Sequence, residues 1–140
     1  MNDTGMRGVA LLVAVLAGFI TPFDHSAVNI ALPTIGTEFA MDAVALSWVS
    51  TAYLLASAIF LVPLGRYADI HGRKKVFVSG LSIFTAASLL LIFSPSSIVL
   101  IVLRVLQGMG AAMIFGTGVA ILTSVFPPGE RGRVLGLYTT

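Results

Sequence analysis

Arg104 and Gln107 lie three residues apart in Leu103-Arg104-Val105-Leu106-Gln107-Gly108-Met109-Gly110-Ala111-Ala112, inside the last long apolar stretch of the chain. A spacing of three puts both side chains on one face of a helix. A guanidinium in hydrocarbon costs from about 3 to about 15 kcal/mol, depending on the reference state. Such groups therefore face a bundle interior or a wet cavity, take an opposite charge, and are functional candidates by default. Asp24, which interrupts the first apolar stretch, supplies that charge. A permanent pair that only fixes helix packing is the structural alternative.

The elements that must hold these residues follow from composition. Of the 140 residues, 57% are hydrophobic and 10% charged, against about 25% charged in soluble domains. Mean hydropathy is +1.01. Each crossing of the bilayer needs about 20 apolar residues, so the length accommodates four. The net charge of +2 does not point to nucleic acid, because the bases are not gathered on a polar face. A soluble enzyme is excluded by composition. The chain has no cysteine, and no metal-ligand spacing, nucleophile elbow or phosphate loop is present; neither cofactor nor metal is expected.

The expected fold is all-α and integral to the membrane, since an open chain in lipid satisfies its own backbone only as helix. Four transmembrane helices are expected over about 8–32, 45–64, 76–93 and 98–126, with the start of a fifth over about 134–140. Gly18 and Pro22 make a bend plausible in the first. Ser94-Pro95-Ser96-Ser97 is short and uncharged, forcing a hairpin; Pro127-Pro128-Gly129 closes the fourth helix. The apolar run Val9–Ile20 after Arg7 has the shape of a signal peptide. The apolar stretch resumes after Asp24 and three further spans follow, so a retained first helix is expected. Arg104 lies seven residues in from Ser97, or ~10 Å, and Asp24 eight residues in from Leu32, or ~12 Å. Antiparallel connectivity places both at similar depth.

Topology follows from the basic residues. Of eight Lys and Arg, one is Arg104; the other seven are Arg7, Arg66, Arg73, Lys74, Lys75, Arg131 and Arg133. All seven fall on one side of the expected spans, which is therefore cytoplasmic, together with the N-terminus. Trp48 and Tyr67 stand where interfacial aromatic belts would lie. Gly108, Ala112 and Gly116 recur every four residues and form a small-residue ridge that permits close helix contact.

The link between the second and third spans reads Gly65-Arg66-Tyr67-Ala68-Asp69-Ile70-His71-Gly72-Arg73-Lys74-Lys75. It resembles the signature loop G-x-L-A-D-R-x-G-R-R/K of the major facilitator superfamily. Gly65, Ala68, Asp69, Gly72, Arg73 and Lys74 match, while Tyr67 and Ile70 depart from the pattern. Phe23-Asp24-His25-Ser26-Ala27-Val28-Asn29-Ile30-Ala31-Leu32-Pro33 is similar to the L-D-x-T-I-V-N-V-A-L-P ending of helix one in the 14-helix drug/proton antiporter branch. Leu103–Ala112 resembles the R-x-x-Q-G-x-G-A-A motif of helix four in proton-coupled exporters. The three motifs cover almost the whole chain.

The resemblance implies part of an N-terminal six-helix bundle of a proton-coupled multidrug efflux transporter in the plasma membrane, working by alternating access. The resemblance implies a transporter and no enzyme. Asp24, Asn29, Arg104 and Gln107 would line the proton-coupling and substrate cavity. Gly65, Asp69, Gly72, Arg73 and Lys74 would form a conformational latch loop, with Glu130 a partner for Arg73. Expected partners are the lipid bilayer, protons, lipophilic or cationic small molecules, and the remaining helices of a longer parent, of which 140 residues would be a fragment. The alternative is a self-contained four-helix protein acting as an oligomeric small exporter, or as an assembly or regulatory subunit. His25 either titrates beside Asp24 or reaches toward the outer interface, the second being the preferred reading, and His71 is read as solvated.

The orientation has a direct check. In a cysteine-free background, cysteines at position 38 or 96 should react with an impermeant thiol reagent outside intact cells, and one at position 74 should not. External labelling at 74 would reverse the topology.

Overall fold

The computed structural model describes residues 3–139. Five helices follow in order: α1 (Asp3–Glu38), α2 (Ala43–His71), α3 (Arg73–Ile92), α4 (Ser97–Val125) and α5 (Arg131–Thr139). No strand occurs among the described residues. Four of the helices are long and apolar enough to cross a membrane, over Leu11–Glu38, Ala43–His71, Arg73–Ile92 and Ser97–Val125. The expected end of the fifth helix at Thr140 lies outside the described residues.

The helices outrun the apolar segments that announced them. α1 continues through Pro22 and Pro33 to Glu38, past the expected stop at residue 32; membrane helices tolerate proline where neighbouring groups re-satisfy the freed carbonyls. The larger correction concerns residues 65–75. Gly65, Asp69 and His71 are helical, and the expected loop shrinks to Gly72. Its φ of +104° is backbone that a residue with a Cβ rarely adopts. Gly72 N–H still donates to the Ala68 carbonyl at 2.9 Å, closing α2 as α3 begins. α2 starts under a side-chain cap, Asp42 Oδ1 accepting from Ala45 N–H at 2.7 Å. Ser96 does the same for α4 through Val99 N–H at 3.4 Å.

α4 is the axle of the structure. It packs along α2 and α3 and more lightly against α1 and α5, and more than half of its most apolar window is buried. Ile114 and Ala111 sit with Ala17, Tyr53, Phe77 and Phe84 in the central cluster. Large apolar side chains such as Phe19, Ile30, Val62 and Ile92 point outward, the usual situation when the surrounding solvent is hydrocarbon. Lipid gives helices no hydrophobic reason to associate, so close backbone approach must hold them.

That approach occurs on two faces of α4. Toward α2, a Cβ on Gly108 would collide with the Tyr53 carbonyl and stand 3.0 Å from Ala56 Cβ. Toward α3, Gly110 and Gly80 face each other: a Cβ on Gly110 would lie 2.9 Å from the Gly80 carbonyl, and one on Gly80 3.0 Å from the Gly110 carbonyl. Ala112, one turn beyond Gly108, is buried as well. Gly116 differs, because a Cβ there would meet its nearest neighbour, the Leu61 carbonyl, at 3.5 Å. Gly108→Val should therefore destabilise the full-length protein by about 1–3 kcal/mol through overpacking, whereas Gly116→Ala should be nearly neutral. Thermal unfolding of the purified protein in detergent measures both; equal effects would contradict the seam.

Candidate functional site

Four helices converge on one buried polar cluster. α4 supplies Arg104 and Gln107, both fully buried. α1 supplies Asp24, whose side chain is 20% exposed. Arg104 Nη1 donates to Asp24 Oδ2 at 2.7 Å and to Gln107 Oε1 at 2.5 Å. Gln107 Nε2 donates to Asp24 Oδ1 at 2.9 Å and to Ser88 Oγ of α3 at 2.8 Å. Arg104 Nε donates to the Val49 carbonyl of α2 at 3.1 Å. The guanidinium lies over the Tyr53 ring, 4.4 Å from its centroid, a contact that gains strength where water is excluded. Arg104 Nη2 is buried without a hydrogen-bond partner.

Each carboxylate oxygen of Asp24 thus accepts from a donor that α4 holds. A proton on Asp24 would remove one of those acceptors, so proton binding and the intact ion pair exclude one another. Asp24 is the partly exposed half of the pair.

Asn29 stands apart. It accepts from Ser50 Oγ at 2.9 Å and meets His25 Nε2 at 3.3 Å, so its tie is to α2 and not to the Asp24 cluster. His25 corrects the expectation that it reaches for the interface: its ring stacks on Tyr53, with centroids 6.0 Å apart. Tyr53, Ser88 and the Val49 carbonyl were not anticipated. A tyrosine in an apolar segment carries a polar handle but announces no partner, and nothing at sequence level separates Ser88 from other helical serines.

At the opposite end of the helices, Arg73 Nε donates to Asp69 Oδ1 at 2.8 Å, one turn away across Gly72. The pair is substantially exposed and by itself worth ~0–1 kcal/mol. Arg73 Nη1 also donates to the Ala120 backbone carbonyl of α4 at 2.9 Å, joining the α2–α3 junction to α4. These are the partners of Arg73 in place of the expected Glu130. Lys74 is exposed, Gly72 forms the break, and Gly65 lies within α2 beside Gly116. His71 stacks on Tyr67 at 4.0 Å.

Of two cavities in the helix packing, one reaches Arg104 and the other lies apart from the polar cluster. One of about 220 Å³ runs between α1, α3 and α4 from Glu38 and Ser94 to Arg104. An apolar groove of about 710 Å³ lies between α2 and α4, lined by Leu54, Ser57, Leu61, Phe115 and Val119 among others.

Breaking a buried ion pair by removing one partner typically costs about 3–5 kcal/mol, because the other charge is stranded. Arg104→Leu in the full-length protein should approach that loss. Adding Asp24→Asn to it should recover part of the stability, as a double-mutant cycle on thermal unfolding would reveal. Strictly additive losses would mean that the two side chains are uncoupled.

The family model of the Major Facilitator Superfamily matches residues 14–140. Over 141 residues the chain is 40% identical to the cephamycin export protein CmcT of Amycolatopsis lactamdurans, covering 99% of this chain and 29% of that protein. It is 35% identical to the multidrug resistance protein Stp of Mycobacterium tuberculosis, over 99% of this chain and 26% of Stp. The riboflavin transporter RibZ of Clostridioides difficile is 32% identical, over 94% of this chain and 29% of RibZ. The chain therefore spans little more than a quarter of the length of these relatives.

Proposed function

The chain belongs to the major facilitator superfamily, and on that premise we propose that it forms the N-terminal part of a proton-coupled exporter of lipophilic small molecules. Transporters of this kind rock two helical bundles about a site near the midplane. The observation that carries the reading is the Asp24 carboxylate held between Arg104 and Gln107, four-helix-deep yet partly accessible.

Exchange follows from the geometry. With Asp24 ionised, its pair with Arg104 ties α1 to α4. Protonation removes the charge and weakens that tie, leaving the guanidinium with the Gln107 and Tyr53 contacts it already makes. A lipophilic substrate, often cationic, competes for the same cavity, so proton and substrate occupy it alternately. The apolar groove between α2 and α4, apart from the Asp24 cluster, is within the size range of small-molecule sites and suits an apolar part of a substrate. The names of CmcT and Stp point to antibiotics and drugs, and that of RibZ to riboflavin; the substrate class here is drawn from the first two.

We assign the protein to the plasma membrane with its N-terminus cytoplasmic, on the distribution of the seven basic residues outside Arg104. The Asp69–Arg73 pair and the Arg73 bond to α4 then lie at the cytoplasmic end, where they bias the equilibrium between the two bundle arrangements without touching substrate.

Two sets of variants in the full-length transporter test this. Asp24→Asn should abolish substrate efflux driven by a pH gradient in proteoliposomes while the protein remains folded; retained gradient-driven efflux would remove Asp24 from the coupling role. Asp69→Asn and Arg73→Ala should reduce transport at least tenfold with substrate binding largely intact. Normal transport in both would leave the junction a topology signal alone.

A further inference from the structure

A guanidinium offers five N–H groups, and in Arg104 three of them have partners. Nη1 donates to Asp24 and Gln107, and Nε to the Val49 carbonyl. Nη2 is buried and meets no acceptor on the protein. In the planar fork Nη2 lies beside Nε on one edge, so one of its hydrogens runs parallel to the N–H that Val49 accepts. That edge stands at the inner end of a cavity, because Val49 and Arg104 both line the crevice of about 220 Å³.

The crevice opens because α1 packs against α2, α4 and α5 but not along α3. Val28, Ile35 and Glu38 form its α1 wall and Leu91 its α3 wall, while Leu100 stands one turn from Arg104 on α4. Val28 and Glu38 are ten residues apart on α1, or ~15 Å, which leaves a mean cross-section of ~15 Å². That is the width of a file of waters, each of which takes ~30 Å³. Sites for drug-sized ligands run to about 300–1,000 Å³. The mouth lies at the helix ends opposite the basic residues, where Glu38 is exposed. Among the described residues, Glu38 and Arg104 are the charged side chains that line the crevice.

We propose that this crevice is a water site inside the bundle, through which outer solvent reaches Nη2 and supports the guanidinium while Asp24 is protonated. Its part in exchange rests on the reading of Asp24 as the coupling acid. A proton arriving at Asp24 forms one O–H bond on the carboxylate, and Arg104 keeps all of its own protons. The cation is then left without its counter-charge, the costly state of a buried pair. Water accepting from Nη2 carries part of that charge toward the outer surface, so the pair opens while the bundle stays folded. The walls at Val28, Leu91 and Leu100 are apolar, which makes the guanidinium the anchor of the file. Its width keeps substrate out.

Two measurements on the purified full-length protein test this, both without a gradient. Hydroxyl radicals generated by a brief X-ray pulse oxidise side chains that touch water. Leu100 should be oxidised at least fivefold faster than Leu122, a buried leucine of the same helix that sits with Ala14, Phe126 and Val134. Labelling of Leu100 no faster than that of Leu122 overturns the water site. In the second, Leu100→Phe fills the crevice. It should lower the thermal unfolding midpoint by at least ~3 °C more in an Asp24→Asn background than by itself, because there the guanidinium depends on water throughout. Val28→Leu, one methylene larger, reads the same coupling where Leu100→Phe yields no folded protein. Strictly additive losses overturn the role of the crevice in opening the pair. Gradient-driven efflux by Asp24→Asn would remove Asp24 as coupling acid and leave both readouts unchanged, so the two failures are distinguishable.

Discussion

A guanidinium that has lost all contact with solvent dictates the arrangement around it. Arg104 is fully buried in a helix that would stand in hydrocarbon, where an unsatisfied charge is among the costliest groups a chain can carry. Its partners come from every long helix: Asp24 on α1, the Val49 carbonyl and Tyr53 ring on α2, Gln107 on α4, and Ser88 on α3 through Gln107. No single neighbour would suffice. The need to satisfy one side chain thus selects the relative depth and rotation of four helices that apolar packing alone would leave free to slide.

The seams permit what the cluster requires. Gly108 lets the α2 backbone reach α4 within a side chain's length of Arg104, and the facing Gly80 and Gly110 do the same for α3. Without those approaches, neither the Val49 carbonyl nor the Ser88 hydroxyl would come within bonding distance. Small residues and buried charge therefore act together: one sets how near the backbones come, the other fixes their register.

Asp24, Arg104 and Gln107 were legible before any coordinates, because charges in apolar segments are rare and expensive. The helix ends were not. A reading by hydropathy stops where hydrocarbon stops, but the 29 residues of α2 extend ~43 Å at ~1.5 Å each, well beyond a core of about 30 Å. The helix continues because its backbone bonds do not depend on lipid, and the expected loop at Gly65–Lys75 became a single-residue break. Tyr53 and Ser88 were invisible for another reason. Their roles come from which face of their helices meets α4, and no local pattern in α2 or α3 encodes that. The ridge at Gly108, Ala112 and Gly116 was visible as a period of four, yet only the contacts distinguish Gly108, which has no room for a methyl, from Gly116, which does.

The bond from Arg73 to α4 ends on the carbonyl of Ala120, not on a side chain. Any residue at position 120 would present that same oxygen. The bond to α4 thus sets no demand on the side chain at position 120 and needs no acidic residue on α4, unlike the bond from Arg73 to Asp69. Methods that infer contact from correlated substitution would find the arginine a partner in Asp69 and none on α4. The tie it makes belongs to the path of the backbone and leaves no trace in the alphabet of the partner helix.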